Sequence, residues 1–231
     1  MMNINKLITK TNYEKGNGKQ NKYIVIHYVG ATGGAEANCK YFLSNFRGAS
    51  AHYFVGHQGE VWQCVEDKDI AWHCGATAYK HPYCRNSNSI GIEMCCKKSS
   101  IDGSWYFEED TIKSTIELVK ELMNKYSIPI GNVIRHYDVT GKICPEPYVR
   151  DANAWNSFKG SLATNSSSVG YLVKVATDSL NVRKGPGVGY KITTVIKRNE
   201  VYTIVDEYNG WGKLKSGAGW INLGYTVKFN R

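Results

Sequence analysis

Three residues of this 231-residue chain could together hold a transition metal: His27, His136 and Cys144. His27 closes the apolar run Tyr23-Ile24-Val25-Ile26. His136 follows Val133-Ile134-Arg135, and Cys144 comes eight residues later in Lys142-Ile143-Cys144-Pro145. Two imidazoles and one thiolate leave a tetrahedral zinc ion one open position for water, which marks a catalytic rather than a structural site. Spacing by itself carries little weight. H-x7-C with a distant histidine is a loose pattern, and a histidine beside an apolar strand is more often a hydrogen-bonded core residue than a ligand. The other cysteines are Cys39, Cys64, Cys74, Cys84, Cys95 and Cys96. An odd total of seven at irregular spacing argues against a full disulfide framework, so reduced thiols packed as small hydrophobes are expected. Cys95 and Cys96 would point to opposite faces of a strand, so at most one could join a site.

The elements that must position these groups follow from periodicity. Tyr23 to Val29 is a continuous β-branched and aromatic run, expected as a buried strand that delivers His27 at its end. Ala35 to Phe46 reads as a helix with Cys39, Phe42, Leu43 and Phe46 on one face. His52–Val55 and Glu60–Val65 flank Gly56-His57-Gln58-Gly59 as a hairpin. Asn88 to Met94 reads as a second central strand and Asn132 to His136 as a short one ending on His136. Glu108 to Tyr126 is the clearest helix. Its apolar face would be Ile112, Ile116, Val119, Leu122, Met123 and Tyr126, with Glu108, Glu109 and Asp110 at its positive end. A terminal helix spans Asp151 to Lys159. The fold class expected is α/β, a mixed central sheet flanked by helices.

The pattern changes after residue 160. Residues 161–168 read as a linker, polar and rich in small side chains. From 169 to 231 the chain breaks into short strand-like runs, Tyr171–Val175, Thr193–Ile196, Val201–Val205, Trp211–Leu214 and Gly219–Leu223, separated by glycine turns such as Asn209-Gly210. That is the pattern of a small all-β barrel. The chain is therefore read as two domains, 1–160 and 169–231.

Composition bounds the partners. With 42% hydrophobic and 21% charged residues the chain has the makeup of a globular protein. No run approaches the roughly 18 apolar residues of a membrane span, and the N-terminal segment lacks the apolar centre of a secretory signal. The expectation is a monomer made and folded in the cytoplasm, without membrane insertion. The net charge of +9 attracts polyanions, but no block of five basic residues occurs, which weighs against nucleic acid. Residues 166–231 hold 10 Lys+Arg against 4 Asp+Glu, and residues 1–165 hold 19 against 16, so the smaller domain carries most of the excess. That split is expected if the smaller domain docks on an anionic surface; charge alone does not choose among nucleic acid, anionic lipid and an anionic cell wall.

The segment His136-Tyr137-Asp138-Val139-Thr140-Gly141-Lys142-Ile143-Cys144-Pro145 resembles the HxDxxxKxCP motif of N-acetylmuramoyl-L-alanine amidases of the phage-lysozyme and peptidoglycan-recognition-protein type (amidase type 2). The strand ending on His27 resembles that family's first ligand strand. Ser50-Ala51-His52-Tyr53-Phe54-Val55, Ala71-Trp72-His73 and Asn88-Ser89-Ile90-Gly91-Ile92-Glu93 match later landmarks in the same order, over about residues 20 to 160. The resemblance implies a zinc enzyme that hydrolyses the amide between N-acetylmuramic acid and L-alanine in peptidoglycan. It implies His27, His136 and Cys144 as zinc ligands, Glu93 as the acid–base carboxylate, Lys142 as the oxyanion partner, and Trp72 and His73 as substrate-groove residues. His52, His57 and His81 are expected to be structural or surface residues. Two departures stand out. Ala51 occupies the place of a catalytic tyrosine in phage-lysozyme members, which shifts weight to Glu93, and Glu146 replaces a glycine common after the Cys-Pro pair.

Leu180-Asn181-Val182-Arg183-Lys184-Gly185-Pro186-Gly187 is similar to the LNVRxGP signature of bacterial SH3-like domains, and Gly210-Trp211-Gly212 with Gly219-Trp220-Ile221 matches their second half. The resemblance implies binding to a cell-wall polymer or peptide, with Tyr190, Tyr208 and Trp211 as candidate contacts and Trp220 in the barrel core. The combination implies a phage or prophage endolysin that acts on the wall after release. A zinc peptidase cutting the stem peptide and a non-catalytic peptidoglycan-recognition protein are the rival readings; retention of Cys144 speaks against the latter.

Overall fold

The computed structural model describes residues 2–17, 21–163, 171–208 and 210–229. The chain divides into two compact units, 1–163 and 164–231. Most of the linker expected at 161–168 and the Asn209 turn position lie outside the described residues.

The first unit is built on a six-stranded mixed sheet. Its strands are β1 (Ile4–Lys6), β2 (Tyr23–Tyr28), β3 (Tyr53–Val55), β4 (Val61–Gln63), β5 (Ser89–Met94) and β8 (Val133–Arg135), in the order β1-β4-β3-β5-β2-β8. β3 and β4 form the expected antiparallel hairpin; β5 pairs parallel with both β3 and β2, and β2 pairs parallel with β8. A small hairpin, β6 (Lys97–Lys98) with β7 (Trp105–Tyr106), lies outside this sheet. β1 and that hairpin, each two or three residues long, are too short to show a period in the sequence.

The alternation along β2 and β5 divides the unit into two faces. Ile24, Ile26, Ile90, Ile92 and Met94 point into the main core, where α2 (Glu109–Tyr126) and α5 (Ala152–Ala163) supply Leu118, Val119, Leu122, Phe158 and Leu162. Val25, His27, Gly91 and Glu93 occupy the intervening positions and so share the opposite face. A strand covered on both sides reads as continuously apolar, which is why Tyr23–Tyr28 shows no polar alternation.

α2 is rotated from its expected face. Thr111 and Thr115 are fully buried on it, while Ile112, Ile116 and Met123 are half-buried at the margin. The threonines can be inside because their hydroxyls find main-chain acceptors: Thr111 Oγ1 donates to Gly56 O at 2.8 Å and Thr115 Oγ1 to Thr111 O at 2.7 Å. α1 (Ala35–Leu43) stops three residues before Phe46, so Phe46 leaves the helical face and is 74% exposed, with its ring against Trp72. All seven cysteines are buried and unpaired in disulfides. Cys95 and Cys96 fall in different core clusters, as their alternation requires.

The second unit is a seven-stranded antiparallel sheet with a core of Val173, Val175, Leu180, Val182, Ile196, Ile204, Leu214 and Ile221. Its strands are β9 (Tyr171–Val175), β10 (Ser179–Arg183), β11 (Ile192–Lys197), β12 (Val201–Tyr208), β13 (Trp211–Leu214), β14 (Trp220–Asn222) and β15 (Thr226–Phe229). β10, which carries the LNVR residues, and the last strand, Thr226–Phe229, were not among the expected strand runs. Trp211 is buried and Trp220 half-buried, the reverse of the roles expected for them, whereas Tyr190 is exposed as expected.

Candidate metal centre

β2 and β5 run parallel in register, with His27 paired to Glu93. Paired residues of adjacent strands point to the same side of a sheet, so these two side chains rise together from one face. His27 Nδ1 stands 4.0 Å from Glu93 Oε1.

His136 arrives differently from the expected strand end. It is the first residue of a short helix, α3 (His136–Thr140). Arg135 and Asp138 fix that start: Asp138 Oδ2 accepts from the Arg135 backbone N–H and Nε, and Oδ1 accepts from the guanidinium at 2.8 Å. α3 ends at Gly141, and the loop doubles back so that Tyr137 N–H donates to Cys144 O at 2.8 Å. This return brings Cys144 Sγ to 3.7 Å from His27 Nδ1. The rings of His27 and His136 meet edge-on with centroids 4.7 Å apart.

One ligand atom from each of His27, His136 and Cys144 lies within 4.8 Å of the others, and all three residues are buried. Two ligands of a tetrahedral zinc, at roughly 2.05 Å for nitrogen and 2.3 Å for sulfur, stand about 3.6 Å apart, close to the His27–Cys144 separation. His136 Nδ1 and Glu93 Oε2 are buried with no hydrogen-bond partner among the described residues. An orphaned imidazole nitrogen is costly in a core, and a metal is the partner its position suits. The residues present therefore fit zinc.

The electrostatics prepare the two imidazoles for a metal, whereas the thiol would have to lose its proton on binding one. Burial, reinforced by His73, His136 and Lys142, holds His27 well below the ordinary histidine range. Burial and then Lys142 push His136 down to about 4, so both imidazoles are neutral and free to donate lone pairs. Burial, then the nearby Glu93 carboxylate, pushes the Cys144 thiol up to about 12. Glu93 is raised to about 8 by burial, against the opposing pull of Lys142. Lys142 itself is exposed at the edge of the cluster.

The family model for N-acetylmuramoyl-L-alanine amidases matches residues 17–147. This chain belongs to that family. A bacterial SH3 domain model matches residues 178–227. Among curated relatives, a probable N-acetylmuramoyl-L-alanine amidase of Bacillus licheniformis is 32% identical over 190 residues, covering 71% of this chain and 51% of the relative. The amidase BlyA of Bacillus subtilis is 34% identical over 160 residues, covering 63% of this chain and 42% of the relative. The chain thus spans about half the length of the curated relatives it matches. Among solved structures, PlyL superposes with a TM-score of 0.60 at 26% identity, covering 71% of this chain and 99% of that one. The catalytic domain of XlyA gives 0.57 at 26%, covering 70% and 100%.

The remaining expected site residues separate. His73 comes to the cluster, with Nδ1 3.0 Å from His27 Nε2. Its neighbour Trp72 turns to Phe46, and its Nε1 donates to Glu14. Ala51 is buried in a side cluster with Ala35, Cys39 and Phe54. His52 is a core residue, accepting at Nδ1 from the Gly91 N–H. His81 Nδ1 accepts from the Tyr83 and Cys84 amides. Asn86, Ser89 and Gly91, which surround His73, were given no site role from the sequence, because only the fold brings the start of β5 and the turn before it against that ring.

Proposed function

We propose that the protein is a zinc-dependent N-acetylmuramoyl-L-alanine amidase that cleaves the bond between the lactyl group of N-acetylmuramic acid and the first L-alanine of the stem peptide, and thereby lyses bacterial cells as an endolysin. The observation that carries this reading is the convergence of His27, His136 and Cys144, with an orphaned His136 Nδ1, beside Glu93, whose Oε2 has no hydrogen-bond partner among the described residues. An amide is a weak electrophile with a poor leaving group, so both difficulties must be met. Zinc held by these three side chains supplies Lewis acidity, which acidifies water and polarises the scissile carbonyl.

The chain's own residues do the rest. Glu93 Oε2 has no hydrogen-bond partner among the described residues, and the side chain as a whole keeps 21% of its surface exposed. A carboxyl held near neutral pH is suited to take the proton of attacking water and pass it to the departing amine. Lys142 is exposed and close enough to depress Glu93, His27 and His136 electrostatically. It is suited to stabilise the oxyanion as charge develops there. Trp72, half-exposed beside Phe46, remains the groove residue available to substrate. The basic second unit is read as a wall-binding module that raises the local concentration of substrate, with exposed Tyr190 as one contact.

Mass spectrometry of digested peptidoglycan tests this. New N-terminal L-alanine on intact stem peptides is the expected product. Stems cut internally would make the protein a peptidase and overturn the reading.

A further inference from the structure

Both ring nitrogens of His73 are engaged inside the protein, and the direction of each hydrogen bond can be worked out from the far end. The Ser89 hydroxyl has one proton and donates it to the Arg85 carbonyl at 2.7 Å. Toward His73 Nε2, 3.2 Å away, Ser89 Oγ can then only accept. The His73 proton therefore sits on Nε2, and Nδ1 offers a lone pair. That lone pair faces His27 Nε2 at 3.0 Å, so the proton of neutral His27 is held on Nε2. The nitrogen left bare, His27 Nδ1, is the one facing Cys144 Sγ and Glu93.

We propose that His73 is a positioning residue of the metal centre: through the chain Arg85 carbonyl–Ser89–His73–His27 it locks His27 in the tautomer and orientation that aim Nδ1 at the zinc. This rests on His27 being a zinc ligand. Partners behind a metal-bound histidine set its tautomer and its basicity in general. The acceptor here is an imidazole nitrogen rather than a carboxylate or a backbone carbonyl.

The fold builds a seat for that ring. Asn86 Oδ1 accepts from the backbone N–H of His73 at 3.1 Å and of Cys74 at 2.8 Å, fixing the loop. Gly91 leaves the space. A Cβ at this position would lie 2.4 Å from His73 Cγ, so any side chain would push the ring off its perch. On the far side stands His52, with ring centroids 5.8 Å apart, tied to the Gly91 amide at Nδ1 and to the Asp69 carbonyl at Nε2. It is thus unavailable to His73 as a partner.

The test is zinc affinity of the full chain, measured by competition with a chromophoric chelator, for wild type, His73→Ala, His73→Asn and Gly91→Ala. His73→Ala should weaken zinc binding roughly 10- to 100-fold. Gly91→Ala should do the same without touching the ring chemically. His73→Asn should recover much of the loss, because its side-chain carbonyl can accept from His27 Nε2–H. Long-range proton–nitrogen NMR of the metal-free wild type should show both His27 and His73 protonated on Nε2. Unchanged affinity in His73→Ala, no recovery in His73→Asn, or His27 protonated on Nδ1 would each overturn the relay. Wild type that takes up no zinc would overturn the zinc reading instead, and the NMR tautomers would still decide the relay.

Discussion

His27 and Glu93 are register partners on adjacent parallel strands, and their side chains approach to 4.0 Å on the face of the sheet away from the main core. The proposed base and the proposed metal ligand are thus placed by two central strands rather than by loops. That arrangement separates their roles cleanly in mutants.

Glu93→Gln keeps the size of the side chain and removes its acid–base capacity. Release of N-terminal alanine from peptidoglycan should fall by about 10²- to 10⁴-fold. Zinc content, read by metal analysis, should stay near that of wild type, because Glu93 is not among the three converging ligands.

Cys144→Ser and His136→Ala act on the cluster itself. Each should bring zinc content close to zero and reduce cell lysis to background. A chelator should do the same to wild type, with recovery on adding zinc. Full lysis by Cys144→Ser would remove this residue from the site.

Asp67 gives the first unit a pH-dependent brace. Its carboxylate accepts from Lys125 Nζ at 2.8 Å, Tyr126 OH at 2.7 Å, Gln63 Nε2 at 3.0 Å and Tyr53 OH, joining α2 to the β3–β4 hairpin. Burial would raise this carboxyl, but the hydrogen bonds from Lys125, Tyr53 and Tyr126 outweigh it and hold it below the ordinary range. A depressed carboxyl stabilises the fold fully above its unfolded value of about 3.9 and loses that contribution as pH falls through its folded value. Asp67→Ala should cost about 2 to 3 kcal/mol at pH 7. Denaturant titrations at pH 7 and pH 3 should show a smaller acid loss in the variant than in wild type.

Gly219 tests the second unit by itself. Its φ is +139°, and a Cβ there would lie 2.3 Å from the Arg183 carbonyl on the neighbouring strand β10. Gly219→Ala should destabilise this unit by about 2 kcal/mol or more. Sedimentation with purified cell walls should drop, while hydrolysis of a small soluble muropeptide is retained. Equal loss of both would tie Gly219 to catalysis and contradict the division of labour.

Much of the fold was legible because burial leaves a period. β2, β5, the β3–β4 hairpin and α2 all lie where their apolar runs put them, within a residue or two. The errors have local causes. Thr111 and Thr115 looked polar, yet main-chain acceptors let them turn inward and rotate α2. His136 looked like a strand end, yet the Arg135–Asp138 clamp starts a helix on it. Trp211 and Trp220 exchanged roles because alternation within short strands of an antiparallel sheet does not say which face is the inner one.

By itself the sequence determined the chemical inventory: two histidines, a cysteine, a carboxylate and a lysine in a family motif, and a basic β-rich second half. Residue identity sets which groups can bind a soft divalent ion or move a proton, and no folding is needed to know that. Only the tertiary structure decided which nitrogen of His27 faces the cluster, that Glu93 stands beside it, and that His73 Nδ1 meets His27 Nε2 while Trp72 packs against Phe46. Those facts depend on strand register and on the space above Gly91. Both arise from contacts between segments far apart in the chain, which one-dimensional spacing does not encode.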